Sequence, residues 1–162
     1  MNWVSNYNRI NKIKLEEASV IVFSPGPGNP KKYPSTSKIY KHYKGKKKII
    51  GICLGFQQIL FCEGANITEQ NKIYHGFQSR VIVNKLSKLF KPGNEFKVGR
   101  YHSLKLKEPF KAKNFDITMR CAISGAAMSF ENNIDKIYGF QFHPESFLTI
   151  NGKLLIKKIL SA

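Results

Sequence analysis

Residues 48–60, KIIGICLGFQQIL, decide the fold. The apolar run Ile49, Ile50, Ile52 reads as a buried strand of a parallel sheet, and Phe56 onward reads as a helix. Between them stands Gly51-Ile52-Cys53-Leu54-Gly55, with a glycine two residues either side of one reactive side chain. That is the pattern of a nucleophile elbow, a strand-to-helix turn so tight that close neighbours must lack Cβ atoms. The side chain at its apex projects from the carboxyl end of the sheet over the first amides of the helix. Here it is a thiol, and a helix N-terminus favours its thiolate form. A cysteine taken alone is more often a buried structural residue; the flanking glycines make Cys53 the candidate nucleophile.

Outward from the elbow, composition sets limits. The 162 residues suit one domain, 1–162, large enough to bury about two-thirds of its unfolded surface. No apolar run reaches membrane-spanning length, and the polar opening MNWVSNYNRINKIK carries no secretory pattern. Cys53, Cys62 and Cys121 form neither a disulfide framework nor a zinc pattern, so no metal is expected and the chain reads as cytoplasmic. The net charge of +17 raises a nucleic-acid reading, but it is mostly lysine, scattered along the chain. Arg9, Arg80, Arg100 and Arg120 are the only arginines, and base readers and phosphate clamps lean on arginine's fork. No nucleic-acid or membrane partner is expected.

Val20 to Phe23 is a short buried strand ending in Ser24-Pro25-Gly26-Pro27-Gly28-Asn29-Pro30. Alternating prolines and glycines forbid helix and ladder alike, so this is a fixed loop at a strand's carboxyl end. A helical turn is expected at 15–18, a helix over 35–43, and strands over 73–83, 96–101, 115–119, 126–130 and 137–142. An amphipathic helix over 152–160 closes the chain. The architecture expected is α/β, three layers around a mostly parallel central sheet, with a small antiparallel portion near 73–130.

A thiol nucleophile needs a base, a group to orient it, and oxyanion donors. The candidate bases are His42, His75, His102 and His143. His143 leaves a hydrophobic strand at a proline-fixed turn, and Glu145, two residues on, faces the same way in an extended segment. The carboxylate would hold the imidazole in the tautomer that accepts the thiol proton. Gly26, Gly28 and the amide of Leu54 are natural oxyanion donors.

The set SPGPGNP (24–30), GICLGFQ (51–57), YHG (74–76), GRYHSL (99–104) and GFQFHPES (139–146) resembles the class I, triad-type glutamine amidotransferases. Within them it is most similar to the glutaminase subunits of anthranilate synthase and aminodeoxychorismate synthase. The resemblance implies that Cys53 attacks the side-chain amide of L-glutamine, that His143 moves protons and that Glu145 orients it. It implies that Gly26, Pro27, Gly28, Leu54, Gln57, Ser103 and Leu104 hold the glutamine. It further implies no cofactor in this subunit, and ammonia passing to a chorismate-binding synthase subunit. Phe56 stands where many relatives carry histidine, outside the triad. The family's usual opening strand and helix have no counterpart before Val20, and that strand is expected centrally in the sheet, so its absence should leave an interior slot. A non-catalytic remnant that binds a synthase subunit is the rival reading; carbamoyl-phosphate synthetase small subunits share the triad but carry a further amino-terminal domain.

Overall fold

The computed structural model describes Val4 and residues 10–162; the rest of the polar opening lies outside the described residues. The elements run α1 (Lys12–Glu17), β1 (Val20–Phe23), α2 (Pro34–Tyr43), β2 (Lys48–Ile52), α3 (Leu54–Cys62), β3 (Ile67–Glu69), β4 (Phe77–Val83), β5 (Glu95–Arg100), β6 (Leu104–Leu106), β7 (Asp116–Cys121), β8 (Ala127–Asn132), β9 (Ile137–Phe140) and α4 (Gly152–Ser161). Seven strands form one sheet in the order β1-β2-β9-β8-β7-β4-β5, and β3 pairs with β6 beside it.

The sheet is α/β in class and mixed in direction. β1–β2 and β2–β9 are parallel, because a helical crossover separates β1 from β2 and β9 enters from a distant part of the chain. The pairs β9–β8, β8–β7, β7–β4 and β4–β5 are antiparallel. The antiparallel portion is therefore larger than the sequence suggests, and the parallel character is concentrated in the three strands around the elbow. Parallel neighbours need long crossovers, whereas β7, β8 and β9 follow one another through short turns.

Alternation along β2 explains the layers. Ile49 packs with Ile21, Phe23, Phe56, Ile59 and Ile137 toward α2 and α3, while Ile50 and Ile52 pack with Phe140, Phe142, Leu155 and Ile159 toward α4. Phe56 is wholly buried against Phe130, ring centroids 5.2 Å apart, so its aromatic ring fills core volume beneath the elbow. The Lys48 ammonium donates to the carbonyls of Ile159, Leu160 and Ala162, closing the exposed end of α4 onto the sheet.

The interior slot expected in the sheet is not found among the described residues. β1 pairs with β2 over four residues, β2 is flanked on its other side by β9, and the described sheet is continuous. β1 forms one edge instead. Its Ile21 and Phe23 are buried while Val22, on the opposite face, is half-exposed.

Candidate active site

β2 delivers Cys53 to the start of α3 with φ 52° and ψ −101°, a left-handed backbone that costs a side-chain-bearing residue about 1–3 kcal/mol. Two things hold it there. The Cys53 amide donates to the Phe140 carbonyl at 2.8 Å, and the Gln57 amide donates to the Cys53 carbonyl at 3.1 Å. The close approach is bought by glycine: a Cβ on Gly51 would lie 2.6 Å from the Gly55 carbonyl, and one on Gly55 would lie 2.0 Å from the Phe23 carbonyl oxygen. No side chain caps α3, so its first amides, Leu54's among them, are not claimed by a capping group. The thiol itself is nearly buried.

His143 follows β9, the parallel neighbour of β2, and thus emerges at the same end of the sheet as Cys53. Its Nδ1 donates to Glu145 Oε1 at 2.7 Å. Nε2 is buried and makes no hydrogen bond of ordinary geometry among the described residues. Burial alone would lower the imidazole, but the Cys53 thiol and the Glu145 carboxylate outweigh it and raise the ring to about 9. Burial would raise the Glu145 carboxyl, but its hydrogen bond to His143 outweighs that and holds it below the usual carboxylate range. Thiol, imidazole and carboxylate thus lie at one end of the sheet, with the imidazole and carboxylate hydrogen-bonded.

The turn carrying His143 is fixed from below. Thr149 Oγ1 donates to the His143 carbonyl at 2.6 Å and accepts the Gly99 amide at 2.9 Å, while the His143 amide donates to the Gly99 carbonyl. Tyr101 packs its ring edge-on against His143, centroids 5.0 Å apart, and its hydroxyl meets Ser146 Oγ at 3.0 Å.

The other predicted residues lie on the loop after β1, on α3 and on the loop leading into β6. The loop of Gly26, Pro27 and Gly28 leaves β1 directly above the elbow, with Gly28 at φ 83° and the Pro27 carbonyl held by the Tyr33 hydroxyl at 2.7 Å. Gln57 is buried on α3, where its amide nitrogen donates to Leu104 O at 3.2 Å and Gln141 Oε1 at 3.0 Å. Its N–H groups are thereby occupied within the protein, leaving its oxygen for a ligand. Ser103 is exposed at the loop before β6, its carbonyl accepting the Gln70 amide at 2.9 Å. Of the remaining histidines, His42 is exposed on α2, away from the elbow. His75 lies edge-on to Tyr101 at 6.2 Å, and His102 is buried beneath the 103–104 loop. Among the described residues no three metal-ligating side chains converge, and no helix is long and apolar enough to cross a membrane. Tyr101 and Thr149 are site residues that sequence reasoning does not single out. Tyr101 lies within the GRYHSL stretch and Thr149 just beyond the His-Pro-Glu turn, and that placement is their signal.

The family model for class-I glutamine amidotransferases matches residues 1–162. Anthranilate synthase component 2 of Lactococcus lactis is 35% identical over 147 residues, covering 90% of this chain and 74% of that protein. The protein of the same name from Buchnera aphidicola of Schizaphis graminum is 38% identical over 152 residues, covering 94% of this chain and 76% of its own. In three dimensions the chain is similar to a Thermoplasma acidophilum protein assigned to GMP synthase, with TM-score 0.79 and 24% identity over 95% of this chain and 77% of that one. At that identity the likeness is one of fold.

Proposed function

The chain belongs to the class-I glutamine amidotransferases, and on that premise we propose that it is the glutaminase subunit of a chorismate-aminating synthase. The observation that carries this is the elbow itself: a nearly buried thiol at φ 52°, coupled to an imidazole whose far nitrogen is held by a carboxylate at 2.7 Å.

In this reading the Cys53 thiolate attacks the side-chain carbonyl carbon of L-glutamine, forming a C–S bond. The oxyanion faces amides of the 26–28 loop and of Leu54. The intermediate collapses as His143 gives its proton to the departing nitrogen, releasing ammonia and leaving a glutamyl thioester. His143 then takes a proton from water, the hydroxide adds, and breaking the C–S bond yields glutamate and the free thiol. Glu145 stays ionised throughout and keeps Nδ1 as the donor. No cofactor has a part in this sequence. Ammonia passes to a chorismate-binding partner; the names of the relatives favour anthranilate as its product, and 4-amino-4-deoxychorismate is the alternative.

The test is Cys53→Ser in the complex with the synthase subunit. Glutamine-dependent amination of chorismate should vanish while amination from added ammonium salt persists, because only the liberation of ammonia needs the thiol. Glutamine-dependent turnover by the variant would sink the assignment. Loss of both activities in an intact complex would favour a purely structural role for this chain.

A further inference from the structure

Arg100 is the largest wholly buried side chain described, yet among the described residues no carboxylate pairs with it. A lone buried guanidinium is costly, so its neighbours must account for it. Its Nε donates to His102 Nε2 at 3.0 Å, its Nη2 to Gln70 Oε1 at 3.3 Å and its Nη1 to Cys121 Sγ at 3.5 Å, and its guanidinium carbon sits 3.4 Å from the centroid of the Tyr74 ring.

A guanidinium only donates. His102 Nε2 must therefore accept, which places the ring's one proton on Nδ1. That nitrogen lies 2.7 Å from the Leu104 carbonyl and donates to it. The neutral ring is enforced twice over, since burial and then the Arg100 charge depress its protonation to a value of about 4. Leu104 O also accepts from Gln57 on the elbow helix. Gln70 ties down the other end of the loop, its side-chain nitrogen on His102 O at 2.6 Å and its backbone amide on Ser103 O. Every carbonyl from His102 to Leu104 is thus claimed from beneath, and the peptides between them have one orientation.

We propose that Arg100, acting through the tautomer of His102, is a positioning residue that orients the Ser103–Leu104 backbone for glutamine recognition. The inference rests on the glutaminase reading above and extends it to residues that touch neither substrate nor thiol. A carboxylate in place of these neutral partners would pull the guanidinium away from His102. The absence of a paired acid is what leaves the charge free to dictate the imidazole proton.

Two reagents separate recognition from reactivity at Cys53. The diazoketone analogue of L-glutamine must be bound as glutamine before the thiolate displaces dinitrogen. Iodoacetamide needs only the thiolate and its imidazole. Labelling of the full chain is followed by intact mass. In Arg100→Met and His102→Phe the half-saturating concentration of the diazoketone should rise about tenfold, the worth of one lost hydrogen bond of about 1.4 kcal/mol, while the iodoacetamide rate holds within twofold. His102→Asn, whose amide can still donate to Leu104 O, should recover most of the loss. If Arg100→Met does not fold by circular dichroism, His102→Phe and the half-exposed Gln70→Ala carry the test. Unchanged half-saturation in the folded variants, or iodoacetamide rates falling in step with it, would overturn the positioning role. A wild-type Cys53 labelled by iodoacetamide but never by the diazoketone would overturn the glutaminase reading, and this inference with it.

Discussion

Gly55→Ala tests the elbow most directly. The added methyl would stand 2.0 Å from the Phe23 carbonyl oxygen, 2.7 Å from its carbon and 2.8 Å from its Cβ. Each of those atoms belongs to β1 or to the core side chain beneath it, so no flexible group can swing aside. The helix must withdraw by roughly 1 Å before the contact becomes tolerable. Overpacking of this kind costs about 1–3 kcal/mol, and backbone against backbone sits at the upper end. Alanine returns about 1 kcal/mol because it is the better helix former. The net loss of about 2 kcal/mol corresponds to a fall in Tm of about 4–8 °C for a chain of this size. Function should suffer more than stability, since Phe23 leads straight into the 24–28 loop and the displaced helix carries Leu54. Diazoketone labelling of Cys53 should slow at least tenfold. The assay is a calorimetric melt paired with that labelling rate. A Tm equal to or above the parent's, with labelling unchanged, would show that the elbow is not as tight as these contacts require.

Two further outcomes follow from the acid–base half of the site. Because Cys53 and Glu145 together raise His143 to about 9, the imidazolium contributes stability that is fully present below the ordinary histidine value of 6.5 and is lost as pH rises through about 9. Glu145→Gln should therefore shift the alkaline limb of the iodoacetamide profile to lower pH; a limb that stays in place would remove Glu145 from this role. Thr149→Val strips the donor from His143 O and the acceptor from the Gly99 amide, each worth about 1–3 kcal/mol when left buried and unpaired. Glutaminase kcat should fall about tenfold or more with Thr149→Ser restoring it, and equal rates for the two variants would show the turn is held otherwise.

What was legible in the sequence was local. Glycines around Cys53, the proline–glycine loop at 24–30 and the His-Pro-Glu turn each encode their backbone within a few residues, and the structure brings them together because parallel β1, β2 and β9 end on one side. The strand expected over 73–83 begins only at Phe77, since Gly76 adopts φ 79° and Tyr74 turns inward to stack on Arg100 and His102. β3 is three residues long, too short for alternation to register, and exists through its pairing with β6. Arg100 was the least legible. A lone arginine at the end of a strand reads as a solvent-facing charge, and its burial follows from partners 21 to 30 residues away in sequence.

The two halves of the site take their rigidity from different sources, and Tyr101 is where they meet. The nucleophile is held by crowding: Gly51 and Gly55 let β1, β2 and α3 approach until Cys53 has no relaxed backbone to adopt. The His-Pro-Glu turn is held by hydrogen bonds through Thr149 and by one further close approach, for a Cβ on Gly152 would lie 1.8 Å from the Pro144 carbonyl. Tyr101 precedes the loop that Arg100 and His102 organise, packs against the His143 ring and reaches Ser146. The His143 turn keeps its own anchors in Thr149 and Gly99, so a shift confined to the Ser103–Leu104 backbone reaches a ligand while the imidazole stays in place. The buried guanidinium serves the recognition half: a fixed charge in a low-dielectric interior acts on its neighbours with little screening.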